Sequence, residues 1–358
     1  MVWERLKYTK QEINRAGRVL ANNKSINSEK EKAINVLDNW RAVHGYPMHI
    51  FQMTLKKKAM KVDNKDVLIS QRLKRVPAII SKLQRSYNKH SPSMKLYQMQ
   101  DIGGCRAVLS DVKLARELYE KHYLKGDLKH KLVNKKDYIN EPKKDGYRSL
   151  HLIYEYKSDK NKKEFNGFLT EVQIRSRLQH LWATAVETAG FLTRQAIKSN
   201  EGGPEWIDFF RLVSSAFAKI ENCPPVPNTL DDKKELCVKI KNKEKELNFI
   251  EKMESWSNAM DYIEREIKPK TRKKAKFFLL ELDIPGKKTI IKTYTDKQEE
   301  KAIEDYSALE KRHLEDKDYD IVLVGADNIN DLKKAYPSYF LDIEEFLRYL
   351  NRIISQHI

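Results

Sequence analysis

The sequence predicts an α/β protein with a helical N-terminal stretch and a smaller α+β module at its C-terminal end. Three observations predict this. Residues 1 to about 90 keep helical spacing, strand-like and helical runs interleave after Pro92, and a second set of strands follows a long charged stretch beyond Lys276. A chain of 358 residues has room for two such units, each with its own core.

The elements follow in order. Helices are expected over 10–22, over 28–43 with Ser28 as cap and Glu31 three positions on, over 50–60 after a Gly-Tyr-Pro turn, and over 73–86. In the second, Ala33, Val36, Leu37 and Trp40 share one face. Lysines and arginines crowd residues 56–89, as a solvated helix face or as an anion-binding wall. His44 and His49 flank the turn without acidic neighbours and read as turn residues rather than metal ligands. Residues 101–109 read as a strand and 113–123 as a helix; 133–139 leads to the loop around Gly146, and 150–156 and 168–174 read as further strands. A helix over 175–190 carries Leu178, Leu181, Trp182 and Ala185 inward, and an apolar helix over 209–220 stops at Cys223-Pro-Pro. A charged helix from Asp231 to about Arg272 has the look of a spacer. After it the order is strand 277–282, strand 289–294, helix 296–313, strand 319–324 and helix 342–354, a ββαβα pattern. The corresponding domain division is 1–230, a helical linker at 231–275, and 276–358.

Composition narrows the function. Hydrophobic residues make up 40% and the mean hydropathy is −0.71. No run approaches the roughly 18 apolar residues of a membrane span, so a cytoplasmic protein is expected. The formal net charge of +18 favours polyanionic partners through long-range attraction and counterion release. Cys105, Cys223 and Cys237 have no short metal-ligand spacing and cannot all pair with one another, so neither a zinc site nor a disulfide framework is expected.

The stretch that concentrates chemistry is Lys143-Lys144-Asp145-Gly146-Tyr147-Arg148-Ser149-Leu150-His151. Gly146 permits a turn that Cβ-bearing residues resist, Tyr147 offers a flat face for a base, and Lys144, Arg148 and His151 can address phosphates or a ribose hydroxyl. The same residues are also an ordinary way to begin a half-buried strand. Asp101 and Glu171 flank this loop on separate strands. If those strands are neighbours, the two carboxylates can share one Mg²⁺, which takes few protein oxygens and completes its shell with water and phosphates.

Four sequence words together resemble the RelA/SpoT pyrophosphokinases: Arg72-Leu-Lys74 with Lys82 eight residues on, Asp101-Ile-Gly-Gly-Cys-Arg106, Asp145-Gly-Tyr147-Arg-Ser-Leu-His151, and Glu171-Val-Gln-Ile-Arg175. The resemblance covers roughly residues 40–195. It implies a mixed sheet flanked by helices, related to the polymerase-β nucleotidyltransferases, that moves pyrophosphate from ATP to a ribose 3′-hydroxyl. It further implies that Asp101 and Glu171 hold Mg²⁺, that Arg72 packs on the adenine of ATP, and that Lys74, Lys82 and Arg106 meet its phosphates. Tyr147 then stacks on the acceptor base with His151 near the acceptor end, and Lys144 and Arg148 beside it. Asp101, Glu171, His151 and Arg106 are the expected catalytic set.

Departures from the family pattern refine the expectation. The Glu-His pair that often follows the helix tryptophan in alarmone-making members is replaced by Trp182-Ala-Thr-Ala-Val-Glu187-Thr188. Nor is there a His-Asp pair for a hydrolase domain. Asn39-Trp40-Arg41 to Tyr46-Pro47 and the Trp182 segment instead resemble the toxic small alarmone synthetases, which implies the 3′ CCA end of tRNA as acceptor. Tyr336-Pro337-Ser338-Tyr339 resembles the Tyr-x-x-Tyr motif of fused toxin–antitoxin members of the CapRel type. In that likeness residues 276–358 form a pseudo-zinc-finger module without zinc, Tyr336 and Tyr339 restrain the enzyme, and a phage structural protein is the trigger. Two alternatives stay open: an alarmone synthetase acting on GDP or GTP, and a non-catalytic RNA-binding scaffold.

Overall fold

In the computed structural model the described residues are 3–64, 66–87, 94–193, 203–247, 249–250, 253, 277–283, 288–313, 319–325 and 343–355. The first three helices are α1 (Lys10–Ala21), α2 (Asn27–Ala42) and α3 (Gly45–Val62). α1 opens on a reciprocal cap, in which Thr9 accepts from the Glu12 amide while the Glu12 carboxylate accepts from the Thr9 amide at 2.7 Å. The analogous cap expected at Ser28 does not form, because α2 begins one residue earlier with Ile26 at its cap position. The Gly-Tyr-Pro segment is not a turn either. Gly45, Tyr46 and Pro47 are the first three residues of α3, where proline's missing N–H removes a donor that has no intrahelical partner.

The central sheet contains β1 (Leu68–Leu73), β2 (Gly103–Leu109), β3 (Lys131–Asp137), β4 (Leu150–Glu155) and β5 (Leu169–Ser176) in the order β1-β2-β5-β4-β3. Only β2 and β5 run parallel; every other pairing is antiparallel. β1 is a strand where the sequence suggests the approach to a helix, and α4 (Val76–Tyr87) begins only after it. Short α5 (Val112–Glu117) continues directly as a wider π-helical turn through Leu124.

Alternation along these strands separates a core face from a working face. Cys105, Ala107, Leu152, Val172 and Ile174 are buried and join Phe51, Leu55 and Ala59 of α3 in the main core. Each buried Leu, Val or Phe contributes about 1.5–3 kcal/mol relative to exposure. The residues between them, including Arg106, His151, Glu171 and Gln173, are only half-buried.

A second core lies along α6 (Arg177–Thr193), α7 (Pro204–Ile220) and α8 (Lys233–Leu247). The apolar stripe of α8, Leu236, Ile240 and Leu247, is buried there, so this part of the expected spacer is packed along its length. The C-terminal segment supplies β6 (Phe277–Asp283), β7 (Lys288–Tyr294), α9 (Glu299–Arg312), β8 (Tyr319–Gly325) and α10 (Ile343–Ile354), in the order the sequence predicts. Its sheet is β7-β6-β8, with Tyr306 and Leu309 of α9 on Leu279 and Ile321. α10 packs into the second core through Phe346 and Leu350, and its Glu345 accepts from Arg177 Nε of α6 at 2.9 Å. Tyr336 and Tyr339 lie outside the described residues.

Gly146 fixes the loop that the sequence singles out. Its φ is +97°, and a Cβ there would lie 2.8 Å from Ser214 Cβ and 3.0 Å from Trp182 Cζ2. Gly146→Ala is expected to cost about 1–3 kcal/mol from the backbone conformation, before any clash, and to move the loop off α7. Thermal unfolding of the variant measures this as a lowered Tm; an unchanged Tm would contradict the packing described.

Candidate active site

The parallel register of β2 on β5 sets Gly104 opposite Glu171 and Arg106 opposite Gln173. On one side β1 adds Arg72 opposite Gly104, and on the other β4 adds His151 opposite Gln173. Glu171 Oε2 lies 3.9 Å from where a Cβ on Gly104 would be, an ordinary contact distance. Arg72, Arg106, His151, Glu171 and Gln173 therefore share the working face, with Asp101 just before β2.

Asp101 is gripped by two cations. Lys74 Nζ donates to its Oδ2 and Lys82 Nζ to its Oδ1, both at 3.0 Å. Burial acts to raise the Asp101 pKa, but these lysines win and hold it below the usual carboxylate range. Burial, with the repulsion of Lys82 and Arg72, pulls Lys74 below its ordinary value even though Asp101 favours its charged form. Two lysines on one carboxylate leave a positive surplus, the condition in which phosphate oxygens bind well.

Glu171 heads a second chain of contacts. Its Oε1 lies 2.7 Å from His151 Nδ1, and its Oε2 accepts from Gln173 Nε2 at 2.6 Å. His151 Nε2 lies 2.8 Å from the Tyr147 hydroxyl. Burial opposes the imidazolium, yet Tyr147 and Glu171 raise the His151 pKa to about 9. Burial opposes ionisation of Tyr147 too, yet His151 lowers its phenol to about 8, so the two groups titrate as a pair. Burial likewise acts to raise Glu171, but His151 beside it keeps the carboxyl ionised.

Two carboxylates held ionised, one just before β2 and the other on neighbouring β5, suit a hard divalent cation that draws its remaining ligands from water and phosphate. No cluster of three or more His, Cys, Asp or Glu is found among the described residues, so any such ion would have few protein ligands. Asp101 and Glu171 are the carboxylates here that could hold such an ion.

The acceptor-side loop is anchored from beneath. Asp145 Oδ1 accepts from the Tyr147 amide at 2.9 Å, and Ser214 Oγ of α7 donates to the Gly146 carbonyl at 2.6 Å. Arg148, expected to face an acceptor, is buried: it donates to the Ile139 carbonyl at 3.0 Å and to Ser214 Oγ at 3.1 Å. It secures the loop rather than meeting a ligand. Lys144 is exposed at the loop's edge. Lys143 Nζ lies 4.8 Å from the ring centroids of both Tyr138 and Tyr147. Beside Tyr147 a pocket is lined by Trp182, Ile207 and Phe210. Sequence periodicity gives no sign that Tyr138, Lys143 or Gln173 belongs to the site; only the folded arrangement assembles them.

Comparison with known proteins bears on this face. Residues 71–190 match the family described as the region found in RelA / SpoT proteins. This segment is a RelA/SpoT domain. Two Bacillus subtilis (strain 168) proteins, the GTP pyrophosphokinases YjbM and YwaC, are each 33% identical to this chain, over 113 and 117 residues. These matches cover 31% and 32% of this chain and 51% and 52% of the relatives, so the chain spans about half the length of the curated relatives it matches. Among solved structures, small alarmone synthetase 1 from Bacillus subtilis aligns at 23% identity with a TM-score of 0.40, covering 49% of this chain and 87% of that one. The small alarmone synthetase 2 structure from the same organism aligns at 22% with a TM-score of 0.41, covering 51% and 93%. All the named groups on the working face, from Arg72 to Arg175, fall within the RelA/SpoT segment.

The contact between Glu171 and His151 has a direct readout. In metal-free protein, NMR titration of the His151 ring should show a pKa near 9, and Glu171→Gln should move it down toward the ordinary histidine value. An unmoved midpoint would contradict the contact.

Proposed function

We propose that the chain is a Mg²⁺-dependent pyrophosphokinase that transfers the β,γ-pyrophosphoryl group of ATP to the 3′-hydroxyl at the CCA end of tRNA. The observation that carries this reading is the working face itself: a cation-rich carboxylate at Asp101 beside an ordered Glu171–His151–Tyr147 chain. In this reading the acceptor hydroxyl oxygen bonds to the β-phosphorus of ATP, the bond to the α-phosphate oxygen breaks, AMP leaves, and the hydroxyl proton is released to solvent.

Each residue then has a physical task. Lys74, Lys82 and Arg106 bind the phosphates, with the two lysines leaving Asp101 as nucleotide arrives, and Arg72 packs on the adenine. Mg²⁺ on Asp101 and Glu171 would supply neutralisation of the charge that develops on the phosphate oxygens. His151 bridges Glu171 and Tyr147 and so fixes the orientation of both. Tyr147 presents its ring to the acceptor base, whose stacking is worth about 1–3 kcal/mol, and Lys143 must move aside for it. The +18 charge supports a polyanion as acceptor. The relatives named GTP pyrophosphokinases support the second reading, in which GDP or GTP is the acceptor.

The C-terminal segment completes the proposal. Tyr336 and Tyr339 would restrain the enzyme by occupying its nucleotide pocket, an arrangement made effective by tethering, which supplies roughly millimolar local concentration. A phage structural protein that engages the C-terminal segment and draws Tyr336 and Tyr339 out of the pocket would then activate the enzyme by shifting a two-state population, protecting the cell population by blocking translation.

γ-Labelled ATP incubated with purified protein and either tRNA or GDP separates the readings. Label on the 3′ end of tRNA is expected, at a basal level in the wild type and more strongly once Tyr336 and Tyr339 are replaced by alanine; label on the nucleotide selects the alarmone reading, and label on neither in both proteins supports a non-catalytic scaffold. Glu171→Gln should abolish transfer while preserving Tm, and full activity in that variant would remove Glu171 from the mechanism. Replacing Tyr336 and Tyr339 together with alanine should raise basal transfer; unchanged transfer would dismiss restraint by this motif.

A further inference from the structure

Arg41 of α2 is buried at a junction of three segments far apart in the chain. Its Nε donates to the Lys74 carbonyl and its Nη1 to Glu310 Oε2 of α9, both at 2.9 Å, while Nη2 donates to the Tyr306 hydroxyl. The guanidinium carbon also lies 5.0 Å from the centroid of the Tyr306 ring. Glu310, itself buried, uses its other oxygen, Oε1, to accept from the Val76 amide at 3.2 Å. A peripheral contact reinforces the junction: Lys311 donates to Asn35 Oδ1 of α2 at 3.0 Å.

The positions held in this way support the nucleotide side of the working face. Lys74 reaches Asp101 from one end of the gripped segment. Val76 is the first residue of α4, whose opening amides have no intrahelical acceptor and favour a carboxylate. α4 in turn carries Lys82, the second cation on Asp101. One carboxylate from the C-terminal segment thus caps the helix bearing Lys82 and, through Arg41, fixes the backbone bearing Lys74.

A buried ion pair of this kind is a poor device for stability alone, since apolar residues of similar volume often serve as well or better. Its directional geometry instead fixes how the joined segments sit. We propose that Glu310, acting through Arg41, is a positioning residue for Lys74 and Lys82, so that docking of α9 sets the affinity of the site for its donor nucleotide. This rests on the reading of Lys74 and Lys82 as ligands of the donor phosphates. It differs from restraint by occupancy: here a docked α9 orders the donor site, and its withdrawal loosens that site.

The test uses the full chain. Binding of a non-hydrolysable ATP analogue with Mg²⁺ is measured for wild type, Glu310→Gln, Lys74→Ala and the double variant, alongside hydrogen exchange of peptides covering residues 74–76. Glu310→Gln should speed exchange there and weaken the analogue about five- to tenfold, within the usual range of coupling between sites. The double variant should lose less than the sum of the two single losses, because Glu310 acts in part through Lys74. Additive losses, or unchanged exchange at 74–76, would overturn the proposal. So would normal analogue binding by Glu310→Gln when Lys74→Ala binds weakly. If Lys74→Ala binds the analogue normally, the donor-site reading fails and the proposed control of donor affinity fails with it, whereas faster exchange in Glu310→Gln would still establish the mechanical link. Should Glu310→Gln fail to fold, Tyr306→Phe removes one hydroxyl from the same junction and should produce smaller changes in the same direction; no change in exchange or affinity would count against the proposal.

Discussion

The working face depends on the single parallel pairing in the central sheet. Two strands from opposite sides of the Gly146 loop in sequence, β2 and β5, lie side by side, with Gly104 facing Glu171. This register places Asp101 at the mouth of β2 and Glu171 on its neighbour. A one-residue slip would turn Glu171 into the α3 side of the sheet and bring Val172 out. The buried row of Cys105, Ala107, Val172 and Ile174 on α3 opposes such a slip, so the packing that stabilises the sheet also aligns its chemistry.

The charge arrangement follows from that alignment. Asp101 is surrounded by more positive charge than it can neutralise, and Glu171 is kept ionised by His151. The two carboxylates therefore sit in different surroundings, one beside mobile lysine ammonium groups and the other in a fixed side-chain chain. Lysines are suited to the first role because they can exchange a carboxylate for a phosphate by rotating a flexible stem. The second role needs rigidity, which Gln173 and Tyr147 provide from either end.

Much of this was legible in the sequence because it is local. The helices, the strands around residues 101–109, 150–156 and 168–174, and the ββαβα order of the C-terminal segment follow from periodicity. The residues later found together on the sheet were marked by their chemistry. What periodicity could not supply was register, burial and long-range contact. Leu68–Leu73 carries serine and arginine on one face and glutamine on the other, and so conceals a strand. Arg148 looks like a ligand residue in sequence, but the fold turns it toward Ile139 and Ser214. Pro47 suggests a turn, yet a proline in the first turn of a helix loses no hydrogen bond. Arg41 and Glu310 are 269 positions apart, and nothing local connects them.

The central claim is that this sheet face binds a donor nucleotide together with a divalent cation through Asp101. Calorimetric titration of the intact protein with a non-hydrolysable ATP analogue, with and without Mg²⁺, tests it most directly. The account predicts stoichiometric binding that strengthens with Mg²⁺ in the wild type and loses that Mg²⁺ dependence in Asp101→Asn. Equal Mg²⁺ dependence in the two proteins would contradict it.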